Sequence, residues 1–409
     1  MDYKGIEYLR AKLERLRLRV KLRYEFYEMK DWPITTEITI PRHLKAQYKS
    51  TMGWCSKAVD SLADRLTFKG FKNDLFNFNE IFNENNPDIL TNSAILSALI
   101  SSCAFIYISM DNGEVRLQVI DGGNATGIID PITGMLNEGY AVLERDNFGR
   151  PTKEAYFTKE YTRYYEGFNE QFIPTEEWQV EHIAPYALLV PVINRPDAVR
   201  PFGHSRISRA CMYWQDYAKR CLERSDVTAE FYSWPQKYAL GTDPSAEELD
   251  TWRATVSTFL RFDKDNDGDR PVLGQFQTQS MTPFTEQLKT AASGFAGETG
   301  LTLDDLGFIA DNPSSAEAIK ASHESLRLTA KRAQHTFSTG FINAAFLARC
   351  LLDEQTYSRK IIYEVGTRWE PIFTPDAASM GAYGDAILKI SQAVPGYLTR
   401  ESIEDLLGI

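Results

Sequence analysis

The sequence predicts an α+β protein, and three observations support that class. Residues 103–194 alternate short β-branched and aromatic runs with turn residues such as Asp111-Asn112-Gly113, a pattern typical of an antiparallel meander. Helical periodicity dominates the chain after residue 204. One periodic segment, Ser315 to Leu352, would form a helix of roughly 50 Å, which is long for a small core and suits an assembly.

The composition is that of an ordinary globular chain of 409 residues, 43% hydrophobic and 25% charged. It excludes collagen-like, disordered and disulfide-scaffold proteins. The formal net charge of −11 argues against a protein that coats nucleic acid nonspecifically. The five cysteines have no CxxC spacing and the five histidines are scattered, so we expect reduced thiols in an intracellular compartment, no zinc site and no cofactor.

The segment Leu90–Met110 is uncharged and long enough in principle to cross a bilayer. It also contains many serines, threonines and asparagines, so a buried helix from Asp88 to Ser102 followed by a strand from Cys103 to Ser109 fits better. The first residues do not resemble a secretory signal. We therefore expect no membrane association.

The first segment, residues 5–30, predicts a basic amphipathic helix with an apolar stripe that includes Leu9, Leu13 and Val20. Its basic side chains could bind an acidic partner, nucleic acid or a membrane, or could form a solvated face paired to an acidic neighbouring subunit. The sequence leaves these alternatives open. A second helix is predicted from Arg42 to Leu66.

Further elements follow from the same patterns. The meander comprises strands 103–110, 115–120, 140–145, 154–165 and 177–183, and a connector with Pro191, Pro196 and Pro201 follows it. The predicted later elements are a helix capped by Ser205 and running to Ala229, a strand 231–240, a helix 244–260, a strand 271–276, a helix from Thr282 to Gly300, a strand 359–367, and helices 376–393 and 399–407.

The run Asp263-Lys-Asp-Asn-Asp-Gly-Asp269 matches the start of a calcium-binding loop. The match then fails, because Gly274 stands where a bidentate glutamate is required and Pro271 intervenes. An acidic loop tip explains the same residues. The sequence also lacks a GxxxxGK[ST] motif and a GxSxG motif, so we expect no enzymatic activity.

Five segments in order resemble the portal proteins of long-tailed bacteriophages, and the resemblance covers nearly the whole chain. The segments are Gly53–Leu66 with Phe68–Phe71, Pro201–Ala210, Pro235–Gly241, Glu298–Gly307 and Asn312–Ala318. The resemblance implies a portal fold assembled as a ring of about twelve subunits at one capsid vertex. It implies a channel for genome packaging by terminase, DNA retention, head-tail joining and genome ejection.

The resemblance also implies a division of the chain. Residues 1–203 would form N-terminal helices and a β-rich wing, 204–229 the first stem helix, 230–281 the clip, 282–301 the second stem helix, 302–315 a tunnel loop, 316–352 a long helix kinked at Gly340, and 353–409 the wing return and a short crown-proximal region.

Candidate site residues follow from that division. The DNA channel would be lined by Asp304, Asp305, Asp311, Asn312, Ser314, Lys320, Arg327 and Lys331, and the clip interface would include Trp234, Glu247, Glu248, Asp263, Asp265 and Asp267. Because Asp304, Asp305 and Asp311 have no Lys or Arg beside them in the tunnel loop, we predict an electronegative constriction there. The mixed stripe Lys320, Glu324, Arg327 and Lys331 suits either subunit pairing or a weak basic belt around DNA.

The implied partners are further copies of the chain, double-stranded DNA without sequence specificity, the terminase large subunit, a head-completion (adaptor) protein, and the major capsid and scaffolding proteins. The implied location is the virion, after assembly in the host cytoplasm. Two alternatives remain: a metal-dependent hydrolase that uses the loop 263–269, and a DNA-binding module that uses the basic N-terminal helix.

Overall fold

The computed structural model describes residues 3–30, 50–168, 174–233, 237–240, 272–275, 277, 280–309, 316–373, 377–398 and 403. Helices and strands are both abundant, which confirms the predicted α+β class. Among these residues we find no helix that is both long and apolar enough to span a bilayer.

The helices are α1 (Ile6–Tyr27), α2 (Trp54–Ala63), α3 (Phe78–Glu84), α4 (Pro87–Ser101), α5 (Arg209–Ser233), α6 (Thr282–Thr299), α7 (Ala316–Ser322), α8 (Glu324–Leu352) and α9 (Ala377–Ala393). The strands are β1 (Phe68–Lys72), β2 (Cys103–Asp111), β3 (Glu114–Asp121), β4 (Ala125–Ile129), β5 (Leu136–Arg145), β6 (Pro151–Phe157), β7 (Tyr161–Phe168), β8 (Pro174–Glu181), β9 (Leu189–Ile193), β10 (Lys237–Leu240), β11 (Val272–Gln275) and β12 (Gly366–Trp369).

The predicted meander folds into two antiparallel sheets. One has the order β4-β5-β6-β7-β8 and the other the order β3-β2-β9. The expected single strand 154–165 is wrong, because the chain turns between β6 and β7. There the hydroxyl of Thr158 accepts hydrogen bonds from the backbone amides of Glu160 and Tyr161. Such local side-chain to backbone bonds favour a turn over a continuous strand. The strand β4 was not predicted. The predicted strand 177–183 corresponds to β8, which ends at Glu181.

Pro191 lies in a strand, although the sequence predicted a connector. It is paired with Phe105 of β2, and β9 is the edge of its sheet. A proline has no amide to donate, so an edge strand tolerates it where a central strand does not.

The main core lies between the β3-β2-β9 sheet and the helices α4 and α8. It includes a cluster of aromatic rings in which Phe68 contacts Phe71, Phe82, Phe341 and Trp369. Burial of such rings is the largest apolar contribution per side chain. The small sheet β1-β12 closes this core from the side, because Phe68 and Trp369 are register partners.

Helix α1 covers the five-stranded sheet and satisfies two buried carboxylates. Glu138 and Glu154 are only 2% and 3% exposed. Glu138 accepts hydrogen bonds from the backbone amides of Lys4 and Gly5, and Glu154 is ion-paired with Arg10 at 2.5 Å. Burying a carboxylate without such partners would destabilise the folded protein by roughly several kcal/mol. The start of the chain is thus a structural part of the sheet.

Several element boundaries differ from the predictions. Residues 50–53 are not helical, so the described helix begins at Trp54, and residues 42–49 lie outside the described part. Ser205 does not cap α5; its hydroxyl donates to the carbonyl of Ile100. Ser208 takes the capping role, because its hydroxyl accepts from the amide of Cys211 at 3.1 Å, and the helix starts at Arg209.

Later boundaries were also misplaced. Helix α5 continues to Ser233, so a strand from residue 231 is wrong and β10 begins at Lys237. Residues 359–362 form a 3₁₀ turn, and the strand that follows covers only Gly366–Trp369. The helix from Thr282 to its αL cap at Gly300 (φ 69°) is confirmed, and so is the helix that ends at Ala393. The predicted helices 244–260 and 399–407 fall almost entirely on residues that are not described.

The long helical segment is divided at His323, which separates α7 from α8. Gly340, where a kink was predicted, lies within the continuous α8. A Cβ at Gly340 would stand 3.2 Å from the carbonyl oxygen of Pro191 and from the Cα of Val192. The glycine therefore permits close packing of α8 on β9.

Candidate channel and stem segments

The helices α5 and α6, predicted as the stem, pack side by side. Glycine at position 294 of α6 leaves room for the indole of Trp214 on α5. Further along, the thiol of Cys221 on α5 lies 3.2 Å from the carbonyl oxygen of Phe284 on α6. The pair is held by a small residue against an aromatic one, which allows a close interhelical approach.

One end of this helix pair is tied to the main core by Arg206. Its guanidinium donates to the carbonyl of Thr299 at the end of α6 and to that of Ala58 in α2, the latter at 3.3 Å. Burial lowers the pKa of Arg206 to about 10. Nearby, Ser208 donates to the carboxylate of Glu298 at 2.9 Å. Three segments distant in sequence therefore meet at one buried cation.

Beyond the far end of the pair, β10 and β11 pair antiparallel, with Lys237 opposite Gln275. Leu240 and Val272 are exposed on it. The predicted clip residues Trp234, Glu247, Glu248, Asp263, Asp265 and Asp267 lie outside the described residues, and so does the acidic loop 263–269. Among the residues that are described, no cluster of His, Cys, Asp or Glu could hold a metal ion.

The loop after α6, predicted to face DNA, is braced from within. Asp305 accepts hydrogen bonds at 2.9 Å from both the amide and the hydroxyl of Thr302. Burial alone would raise the pKa of Asp305, but these bonds and one to His323 outweigh it, so the pKa is lowered. Asp305 is thus held by Thr302 and His323 and not by a Lys or Arg, and the electronegative constriction stays a prediction. Its neighbour Asp304 is exposed, and Asp311, Asn312 and Ser314 lie outside the described residues.

His323 links that loop to the long helix at the break between α7 and α8. Its Nε2 lies 3.2 Å from Oδ2 of Asp305, and its Nδ1 lies 2.9 Å from the carbonyl oxygen of Ile319. Both ring nitrogens face acceptors, so the protonated imidazolium can donate to both. The ring also contacts Phe373 edge-on, with 6.4 Å between centroids. Sequence reasoning missed this residue because no local pattern links positions 305 and 323.

The mixed stripe at the start of the long segment contains an ion pair within the chain. Arg327 donates two hydrogen bonds of 2.7 Å to Glu324, one helical turn away. Lys320 and Lys331 are exposed. The guanidinium of Arg327 is therefore paired with a carboxylate of its own chain. The sequence had suggested only pairing between subunits or a basic belt around DNA.

The basic face of α1 contacts its own chain at several points. Arg10 pairs with Glu154, Lys12 donates to the carbonyl of Gly127 at 2.6 Å, and Arg23 donates to the carbonyl of Ser101 at 2.8 Å. These groups hold the helix on the sheets. This use weakens the alternative of an independent DNA-binding helix.

No protein-family model matches this chain. The portal protein of Mycobacterium phage D29 is 27% identical over 409 aligned residues, which cover 94% of this chain and 81% of the relative. The portal protein of Mycobacterium phage L5 is 26% identical over 92% of this chain and 79% of the relative. This chain is similar to phage portal proteins along nearly its full length.

That similarity confirms the resemblance inferred from the sequence and supports a portal role. Solved chains from gene transfer agent particles are also similar in shape. A chain from the neck of an empty particle, computed with C6 symmetry, covers 91% of this chain and 94% of its own length at 13% identity and a TM-score of 0.49. A chain from the neck of a native particle, computed with C12 symmetry, gives 12% identity and a TM-score of 0.45.

Proposed function

We propose that this chain is a phage portal protein, which forms a ring-shaped channel at one vertex of the capsid. The observation that carries the proposal is the near full-length similarity to two curated portal proteins. In this role the chain is a structural subunit of the virion without catalytic turnover. Double-stranded DNA passes through the ring during packaging, is retained there, and leaves through it into the tail.

The parts of the portal are proposed to follow the described elements. The helices α5 and α6 form the stem, and the segment that contains β10 and β11 forms the clip. The five-stranded sheet with α1 belongs to the wing, and α8 runs from the loop beside the channel to the core. The braced loop supports this division, because a segment that faces moving DNA has to keep its shape without a bound partner.

The ring is tested by mass photometry of the purified chain, with negative-stain images of the same sample. We expect closed rings of about a dozen subunits with an open centre, because a head-to-tail interface closes into a ring when its rotation is cyclic. A species that stays at 46.5 kDa at every concentration, also when adaptor protein is added, would contradict the proposal.

The channel position of the loop is tested with DNA. The exposed Asp304 and the neighbouring Asp311 would be changed together to lysine in assembled particles. We expect slower packaging and slower ejection, because each added cation adds a salt-dependent phosphate contact. The matched control is Glu84→Lys, an exposed acidic residue at the end of α3. An equal effect of the control would argue against a channel position.

The proposed partners are those of a portal. The terminase large subunit and later the head-completion protein would dock at the clip, and the capsid and scaffolding proteins would surround the wing. Pull-down of each partner by the full chain, and by a chain in which residues 241–271 are replaced by a short glycine-serine linker, tests the clip assignment. Loss of terminase binding with rings intact is the expected result.

A further inference from the structure

A cationic pocket of about 250 Å³ lies beside α1, near the edge strand β4. Lys12, Arg19 and Arg23 line it from α1, and Arg200 lines it from the loop after β9. Its walls also include apolar side chains such as Phe202. Four positive charges around one small concave surface form a site suited to an anion.

Among the described residues, none of these four side chains forms an ion pair with a carboxylate. The nearby Asp197 accepts from the backbone amide of Arg200 and is paired with His204, each at 2.6 Å. The hydrogen bonds of Lys12 and Arg23 go to backbone carbonyls, at Gly127 and Ser101. Burial lowers the pKa of both Lys12 and Arg23. A bound carboxylate would stabilise their charged forms and offset part of this desolvation.

The anionic groups nearby are already engaged. Asp121 accepts from the amide of Gly123 and from the side chain of Asn124, each at 2.6 Å, and Glu138 is bound to the amides at the start of the chain. Burial raises the pKa of Cys103 to about 12, so this lining residue remains a neutral thiol. This thiol therefore adds no negative charge to the pocket.

A complementary acidic surface lies at the opposite edge of the same sheet. The strand β8 is exposed along nearly its whole length and includes Glu176, Glu177 and Glu181. Glu177 lies 3.4 Å from Arg163, whereas Glu176 and Glu181 have no ion pair among the described residues. Trp178 and Val180 are also exposed on this edge, 37% and 50% respectively. An open edge of this kind is a typical surface for pairing with another chain.

We propose that the cationic pocket of one subunit binds a glutamate carboxylate of β8 from the next subunit. This inference rests on the proposed ring. A ring contact is head-to-tail and joins two different surfaces of the chain. The pocket adjoins β4 and the acidic strand is β8, so the two surfaces are at opposite edges of one sheet and carry opposite charge. The pocket holds a side-chain carboxylate but is too small to admit a DNA duplex.

The test uses two charge-reversed variants of the full chain. The pocket variant carries Arg19→Glu and Arg200→Glu, which are exposed positions that should not disturb folding. The strand variant carries Glu176→Lys and Glu181→Lys. The pocket variant alone has no net positive charge left in the pocket, because its two glutamates offset Lys12 and Arg23, so the attraction is lost. The strand variant alone sets lysines against the cationic pocket. In a ring where the two variants alternate, the introduced glutamates face the introduced lysines at one contact, and the wild-type pocket faces the wild-type strand at the next.

Mass photometry and native mass spectrometry give the readout. We expect each variant alone to need at least about tenfold more protein for half-assembly than the wild type, and the mixture to recover rings in which both variants are present. The matched controls are Arg15→Glu on the exposed side of α1 and Glu144→Lys on β5, both at exposed positions. Circular dichroism melts confirm that every variant is folded.

The outcomes separate the two proposals. Wild-type rings together with full assembly of both variants would overturn the contact and leave the portal role intact. If the pocket variant forms normal rings that lose DNA, the pocket binds phosphate. That result would also overturn the proposed contact with β8. A wild type that never assembles contradicts the ring itself, and the contact with it.

Discussion

The indole of Trp214 fills the space that a side chain at Gly294 would need. A Cβ built on Gly294 would lie 2.4 Å from Cε2 of Trp214, well inside the contact distance of two carbon atoms. At Gly297, on the same helix, nothing lies within 4 Å. A side chain at position 294 would therefore clash with α5, whereas one at position 297 would not.

The packing of α5 on α6 predicts opposite effects for two alanine substitutions. Gly294→Ala should destabilise the protein by about 1–3 kcal/mol, because overpacking forces the helices apart. Gly297→Ala should stabilise it by about 0.5–1 kcal/mol, because alanine favours the helix and meets no neighbour. Denaturant unfolding followed by circular dichroism measures both. Equal shifts for the two variants would show that the helices are not closely packed at Trp214.

Arg206 predicts a large loss of stability on substitution. Arg206→Met removes the donor for two buried carbonyls, at Ala58 and Thr299, and should cost about 2–5 kcal/mol in the free energy of unfolding. Arg206→Lys should recover little, because an ammonium lacks the planar fork that reaches both oxygens. If lysine restored full stability, the bridging role of Arg206 would be refuted.

The brace in the loop after α6 predicts a pH-dependent effect. Because the pKa of Asp305 is lowered in the folded protein, its stabilising contribution is complete above its unfolded pKa of about 3.9 and is lost as the pH falls through the folded value. Asp305→Asn should therefore cost about 1 kcal/mol between pH 5 and 8, and this difference should shrink below about pH 4. Asp304→Asn, at the exposed neighbour, is the control. A difference that is the same at every pH would exclude the carboxylate as the cause.

Close packing at Gly340 predicts a further effect. Gly340→Ala should destabilise the protein by about 1 kcal/mol, despite the better helix propensity of alanine, because two of the atoms that it would meet belong to the backbone of β9 and the third to the side chain of Val192. Thermal unfolding gives the comparison with wild type. A stabilised variant would mean that β9 can move away from α8 at little cost.

Periodicity predicted the elements whose signal is local. The helix 282–299 and the strands around Asn112-Gly113 could be read directly, because a proline, a glycine cap or a two-residue turn marks each end. Elements that depend on distant partners were missed. Pro191 is in a strand because β2 and α8 lie beside it, and α5 starts at Arg209, capped by Ser208, because Ser205 bonds to Ile100.

The candidate site follows the same division. The acidic residues of the loop could be identified from the sequence. Of the two hydrogen-bond partners of Asp305, only Thr302 is close enough in sequence to be predicted; His323 is not. The Thr302 contact spans three residues, whereas the His323 contact requires the chain to return after 18. The cationic pocket also combines α1 with Arg200, and no one-dimensional pattern relates residues so far apart.

The docking of α1 also sets an order of events during synthesis. Helix α1 and the residues just before it are synthesised before the sheet, yet their acceptors on Glu138 and Glu154 lie 134 and 144 residues later. Contacts of such long sequence separation form slowly. The two glutamates cannot be buried as charges until the first helix returns to them. The five-stranded sheet therefore matures late, and a nascent chain that lacks residues 1–10 would stall before this step.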